Sequence, residues 1–344
     1  MELQKEIINF LSKNPIRSSK DIFDGIGMSW SYSTLKRALV DLENERLISK
    51  IGKGRATKYS ISEVHGIFSK VNLETYFLKE VDERVIQSGY NFRLIPELLK
   101  NIDVFNEDEI THLTQLQVHF KERIAKLSSK EYELEFERLA IDLSWKSSQI
   151  EGNTYSLLET ERLLNEKQTA AGKSKDEAVM LLNHKATLDF LMEHRDFAQP
   201  LNIRKIEDLH LMLTKDLGVP THIRNRKVGI TGTKYTPLDN AHQIEEAIFE
   251  LCKLINAKES VFEKAFLALV LISYIQPFVD GNKRTARILS NAILINYNFC
   301  PISFRTVDSI DYKKALLVFY EQNNVNAFKK IFIEQFEFAV DTYF

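Results

Sequence analysis

Asp280, Gly281, Asn282, Lys283, Arg284 and Arg287 crowd into the stretch YIQPFVDGNKRTARIL, Tyr274 to Leu289. A carboxylate, a turn glycine and two guanidiniums in one place are the residue types that grip a polyphosphate. Arg284 and Arg287 stand three positions apart, so on a helix both lie near one face and can clamp phosphate oxygens. Asp280 offers an oxygen ligand of the kind that a Mg²⁺ bridging those phosphates needs. Gly281 permits positive φ and lets a ligand come close to the main chain. An isolated D-G-N turn before a capped helix with surface arginines would read the same. The paired arginines and the apolar runs on both sides favour the anion site.

The flanking elements explain how such residues are positioned. The apolar run AFLALVLISYI, Ala265–Ile275, stops before Pro277, because a residue preceding proline is pushed out of the helical region. From Lys283 onward, Ala286, Ile288, Leu289, Ala292 and Ile293 have the pattern of a buried helix. The start of that helix presents unpaired N–H groups and the positive end of its dipole, which together attract an anion. A nucleoside diphosphate or triphosphate matches helix start, arginine pair and carboxylate at once.

The chain has 344 residues, 44% of them hydrophobic and 27% charged, so more than one domain of a globular protein is expected. With 12 glycines and 7 prolines it reads as mainly α. A net charge of -2 gives no overall preference for nucleic acid or membrane. The first residues lack a signal-peptide pattern, and Ala265–Ile275 is too short to span a bilayer, so a cytoplasmic protein without membrane contact is expected. Cys252 and Cys300 read as buried free thiols. His112 and His119, seven apart, lack further ligands at metal spacing and read as surface or packing residues.

Three zones follow along the chain. Residues 1–62 read as three short helices and a hairpin around Gly52-Lys53-Gly54, which resembles a winged helix-turn-helix domain. This zone holds eleven Lys/Arg against seven Asp/Glu, a net +4. Lys50, Lys53, Arg55 and Lys58 would lie along the phosphates of double-stranded DNA. Ser31, Ser33, Thr34, Lys36 and Arg37 on the third helix would reach a groove. A protein-interaction module with a solvated hairpin is the other reading. Residues 63–130 read as a helical connecting region without chemistry. Residues 131–344 read as a helical bundle interrupted by RNRKVGITGTKYTPLDN, Arg224–Asn240, an extended flap or small β-hairpin.

QPFVDGNKRTAR is similar to the Fic signature H-P-F-x-[D/E]-G-N-[G/K]-R-x-x-R at every defined position except the first. SSQIEGN, Ser147–Asn153, resembles the inhibitory motif [S/T]-x-x-x-E-[G/N] of that family, and the flap stands in the expected order before the signature. The resemblance implies an all-α Fic domain that transfers AMP from ATP to a Ser, Thr or Tyr hydroxyl of a protein target. It implies Asp280 on Mg²⁺, Gly281, Asn282 and Lys283 around the phosphates, Arg284 and Arg287 on the β- and γ-phosphates, and Phe278 anchoring the loop. The flap residues Thr233, Lys234, Tyr235, Thr236 and Pro237 would align the target by strand-like pairing. A homodimer is implied by resemblance alone.

Glu151 is expected in the last turn of a helix ending at Gly152-Asn153, where a carboxylate faces the negative dipole end at a cost of roughly 0.3–1 kcal/mol. By resemblance Arg287 is the partner that offsets this, and Ser147 belongs to the same motif. Gln276 stands where the family has its histidine base. A glutamine amide cannot accept a proton at physiological pH. The residues leave open a slow transferase using another base such as His222, a pseudoenzyme whose nucleotide site regulates a DNA-binding domain, and a glutamine introduced to disable an active protein.

Overall fold

A computed structural model of the chain describes residues 2–27, 29–87 and 89–344, with the main chain alone at Arg55. The chain divides into two compact units, Met1–Asn72 with Gln322–Asn326, and Leu73–Glu321 with Ala327–Phe344.

In the smaller unit, α1 (Glu2–Lys13) buries Leu3, Ile7 and Leu11, the i, i+4, i+8 stripe of an amphipathic helix. Strand β1 (Arg17–Ser18) leads into α2 (Ser19–Gly25), capped reciprocally by Ser18 and Asp21. Helix α3 (Tyr32–Asn44) buries Leu35, Ala38, Leu39 and Leu42. Strands β2 (Ile48–Ile51) and β3 (Lys58–Ile61) pair antiparallel across the Gly52–Gly54 turn, and β1 joins the far side of β3. A short helix, α4 (His65–Phe68), follows, and the Val325 amide donates to Ile67 O.

The larger unit starts at α5 (Leu73–Phe77) and includes α6 (Glu107–Ile124), α7 (Ser129–Ile150), α8 (Leu157–Glu166) and α9 (Lys175–Glu193). Helices α10 (Ile203–Thr214), α11 (Ala241–Ala257), α12 (Val261–Ile275) and α13 (Asn282–Asn296) then lead to α14 (Ser309–Gln322) and α15 (Asn326–Tyr343). Serine or asparagine caps at residues 128, 156, 174, 202 and 260 open many of these helices where sequence places them. Helix α12 is buried around its circumference from Phe262 to Ile275, as a core helix of fifteen residues should be. Its companion α13 is buried from Arg284 to Ile295, so this pair forms a rigid floor under the loop that joins them. Among the described residues, no helix is long and apolar enough to cross a membrane.

The flap differs from the small β-hairpin expected of it. Residues 224–240 form no hairpin: among the described residues their single β-type contact is a parallel bridge from Thr236 to Gly89, outside any strand. Pro237 blocks continuation on one side, since it lacks an amide to donate.

Candidate functional site

The α12–α13 loop is held in a narrow conformational window. Helix α12 ends with Gln276 in the left-handed region (φ 53, ψ 58), its amide donating to Ile272 O. Left-handed backbone is costly for a side chain other than glycine or asparagine, and the surrounding contacts must hold it. Arg224 does so: its Nε donates to Gln276 O at 2.7 Å, its Nη1 to Arg226 O, and its own amide to Pro277 O. At 2% exposure Arg224 is a buttress that sequence reasoning passed over, seeing only a basic residue at the flap entrance.

His210 is the second buttress. Its ring stacks on Phe278 at 3.7 Å between centroids, and Nε2–H donates to Asp280 O at 2.9 Å. Burial pulls its pKa down, and because a carbonyl oxygen only accepts, Nε2 must carry a proton in this bond. The detectable signal was a histidine inside the apolar periodicity of IEDLHLMLT. Gly281, at φ 81, is obligatory for two reasons: its backbone is left-handed, and a Cβ there would meet Thr214 Cγ2 at 3.2 Å and His210 Nε2 at 3.3 Å.

Asn282 opens α13, but its side-chain amide faces inward. Oδ1 accepts from the Phe278 amide, and Nδ2 donates to Phe278 O and to Gln276 Oε1. Any contact of Asn282 with an anion is therefore through its main chain. The first α13 amide with a main-chain acceptor is Thr285, bonded to Gly281 O, so the amides of Asn282, Lys283 and Arg284 are the open end of the helix. They border a pocket of about 480 Å³, which Glu151, Val228, Gly229, Ile230, Thr231, Asp280 and Lys313 also line.

The two arginines differ. Arg287 is fully buried with every nitrogen bonded: Nε donates to Ser147 Oγ, Nη2 to Ser147 O and to Glu151 Oε1 at 2.9 Å, and Nη1 to Tyr312 Oη. Burial alone would lower its pKa, but Tyr312 and Glu151 raise it. Glu151 is the C-cap of α7, with Gly152 beyond it at φ 101, so the helix ends where its sequence directs. Burial pushes the Glu151 carboxyl up, yet Arg287 and Lys283, the latter at 3.2 Å, outweigh it and hold the pKa below the usual range. Arg284 has one carboxylate partner, the exposed Asp280 at 3.1 Å, and its buried Nη1 finds no acceptor among the described residues. An orphaned buried N–H beside open helix amides fits an anion.

Gln276 lines the pocket but is turned back on its own loop, with Nε2 donating to Ser273 O at 2.6 Å and Oε1 accepting from Asn282. His222 is exposed and does not line the pocket. The flap differs from expectation as well. Residues 228–231 face the pocket, whereas Tyr235 and Pro237 are buried. Tyr235 stacks on Tyr274 at 4.8 Å and donates its hydroxyl to Tyr274 O, so it anchors the flap. Thr233 is half-buried, its hydroxyl accepting from the Tyr235 amide, while Lys234 and Thr236 are exposed.

A larger cavity of about 780 Å³ lies elsewhere, but Glu133, Glu137, Asp189 and Glu193 line it with Arg195, the wrong sign for phosphate. No group of three or more His, Cys, Asp or Glu among the described residues could hold a metal by protein ligands alone.

Residues 200–294, from α10 to the end of α13, match the family model described as Fic/DOC family. The chain carries a Fic/DOC domain. Around this Fic domain the likeness extends to the protein adenylyltransferase fic-1 of Caenorhabditis briggsae, 28% identical over 182 residues, covering 49% of this chain and 34% of that protein. The protein adenylyltransferase Fic of Nematostella vectensis is 29% identical over 185 residues, covering 50% and 41%. The chain thus spans about a third of the length of the first of these relatives. Two solved structures share the fold: a Fic domain containing signaling protein from Bacteroides thetaiotaomicron (TM-score 0.58, 19% identity, covering 67% of this chain and 94% of that one), and Fic-1 from C. elegans (0.59, 22%, covering 69% and 72%). The mainly helical fold with a Fic-like bundle is therefore shown.

The start of α9 is tied to the segment just after Glu151 through Glu177. This carboxylate accepts from the Thr154 amide and hydroxyl and from Ser174, which lowers its pKa to about 2. A depressed carboxylate stabilises the fold fully above the ordinary glutamate pKa near 4.5 and loses that contribution as pH falls toward 2. Glu177→Gln should accordingly flatten the pH dependence of the thermal midpoint between those limits. A melting series with the wild-type slope retained in the variant would contradict the assignment.

The basic residues noted for DNA lie in the smaller unit. Lys36, Arg37, Lys50, Lys53 and Lys58 are exposed, and the Arg55 side chain lies outside the described residues. Ser31, Ser33 and Thr34 are exposed at the start of α3. Ser31 caps α3 by accepting from the Thr34 amide, and its hydroxyl bonds those of Ser33 and Thr34. Cys252 and Cys300 are buried free thiols, and burial pushes Cys252 up to about 12. His112 lies 3.6 Å from Glu337 at the surface.

Proposed function

We propose that the pocket at the start of α13 binds ATP with Mg²⁺, as the names of the adenylyltransferase relatives suggest, and that Glu151 restrains it. The observation that carries this reading is the arginine asymmetry. Arg284 lines the pocket with a buried Nη1 that has no partner among the described residues, while Arg287 is occupied by Glu151 at 2.9 Å. The α- and β-phosphates would rest on the amides of Asn282, Lys283 and Arg284, with the Arg284 guanidinium beside them. Arg287 reaches a γ-phosphate only after leaving Glu151. The exposed Asp280 carboxylate fits Mg²⁺, which takes one or two carboxylates and leaves its other positions to phosphates and water. Bound there, the ion would neutralise phosphate charge.

The activity on a protein Ser, Thr or Tyr hydroxyl is impaired in this reading, because Gln276 offers no base. Helix–strand–helix–helix–strand–strand order in the smaller unit supports its likeness to a winged-helix module. Calorimetry with ATP and Mg²⁺ on the wild type and on Glu151→Gly tests the site. A released guanidinium–phosphate bond is a charge-assisted hydrogen bond of about 1.5–3 kcal/mol, so Glu151→Gly should bind about tenfold tighter or better. No heat for ATP, ADP or AMP in either protein would overturn the proposal.

A further inference from the structure

The flap's outward edge is already taken by the chain itself. Thr236 pairs with Gly89 in a parallel bridge. Two residues back, Lys234 Nζ meets Asp82 Oδ1 at 2.5 Å, and two further back, Gly232 O accepts from Arg84 Nη2 at 2.6 Å. Alternate flap positions 232, 234 and 236 are thus all satisfied by one short strap, residues 82–87 and 89–91. The strap ends on the tyrosine column that anchors the flap from behind. Tyr90 stacks on Tyr274 at 5.1 Å, and the Asn91 amide donates to Tyr274 Oη. Its root is firm, because Arg84 is buried, pairs with Glu321 at 3.2 Å and packs over Phe77. Beyond that root the Gln87 amide donates to Glu321 O at 2.8 Å and Val85 O accepts from the Tyr76 hydroxyl, while the side chains of Asp82, Val85 and Gln87 are exposed and the Asp82–Lys234 pair lies open to solvent. Such a pair contributes little, and an isolated bridge lacks the neighbouring rungs of a ladder.

We propose that this strap is a cis occupant of a peptide dock on the flap, competing with an extended segment of a partner protein for the edge at residues 232–236. The inference rests on the reading of the flap as the target-aligning element and adds what restrains it. The dock recognises backbone at Thr236, an acidic side chain at Lys234 and a planar side chain against Tyr274, because those are the groups the strap supplies. A partner segment with an acid and an aromatic in that order would displace it. This restraint is independent of Glu151, since the strap touches none of the phosphate-facing residues.

The test compares wild type with Asp82→Lys/Gly89→Pro, which places like charges together and stiffens the bridging position. Asp82 is exposed, Gly89 is half-buried and a Cβ at Gly89 meets nothing within 4 Å, so neither change strikes the core. Amide hydrogen exchange across residues 231–236 should be about tenfold faster in the variant. A labelled peptide of the chain's own residues 80–92 should bind the variant and not the wild type. Adding Lys234→Glu to Asp82→Lys should restore protection of the flap. Unchanged flap exchange in the double variant, or equal peptide binding by both proteins, overturns the strap. ATP calorimetry on the same proteins keeps the two readings separate. Absence of ATP binding in both would fell the nucleotide site, while flap exchange and peptide binding still decide the strap.

Discussion

Glu151→Gly/Gln276→His should transfer AMP to protein hydroxyls about 10²–10⁴-fold faster than Glu151→Gly alone. Transfer breaks the α–β anhydride of ATP, forms a phosphodiester to the attacking oxygen and releases pyrophosphate, and the hydroxyl proton must go to a base. Helix start and arginines can stabilise charge and position the nucleotide, but none of them accepts a proton at neutral pH. The Gln276 amide is further tied down by Ser273 O and Asn282 Nδ2. An imidazole that gives its Nδ1–H to the Ser273 carbonyl would keep Nε2 as the acceptor. Glu151→Gly is the right background because it frees Arg287 in both proteins, so the ratio isolates residue 276. Initial rates of label transfer from ATP into lysate protein measure it. Equal rates in the two variants would mean that residue 276 is not where the missing proton acceptor matters.

Arg287→Ala should destabilise the fold by about 3 kcal/mol, and Arg284→Ala by much less, although both should weaken ATP binding. Arg287 has no exposed surface and four hydrogen bonds that end on Ser147, Glu151 and Tyr312, and its guanidinium also lies over the Tyr312 ring. Removing it strands a Glu151 carboxylate that is 20% exposed, together with two buried hydroxyl groups. Lys283 still faces Glu151, which places the loss at the low end of the 3–5 kcal/mol typical of a broken buried pair. Arg284 is nearly as buried, but its carboxylate partner Asp280 is 68% exposed and rehydrates when released, and its Nη1 has no partner to lose among the described residues. Deleting a buried donor that is unsatisfied recovers desolvation that the fold was carrying. Urea denaturation of the two variants decides between them. A larger loss for Arg284→Ala would mean that the saturated clamp is not what secures this end of α13.

The chemistry of the loop was legible because it is local. Pro277, Gly281 and the apolar run after Lys283 specify a helix end, a left-handed turn and a helix start within a few residues, and steric rules act at that range. Side-chain identity alone settled that position 276 holds no base. The same locality made the Gly52–Gly54 turn and the end of α7 at Glu151 readable. Contacts between distant segments were another matter. The Glu151–Arg287 bond spans 136 positions and was suggested by resemblance, not spacing. His210 and Arg224 looked like an ordinary helix histidine and an ordinary loop arginine, because only packing places them under Asp280 and Gln276. The expected flap hairpin failed for the same reason. Its residues have turn chemistry, but a strand edge pairs with whichever main chain the fold delivers, and here that is Gly89. Sequence by itself determined what each group can donate, accept or titrate. The tertiary structure decided which groups meet, because closing a loop of a hundred residues is an entropic cost that no local pattern encodes and only the shared core of α7, α10, α12 and α13 offsets.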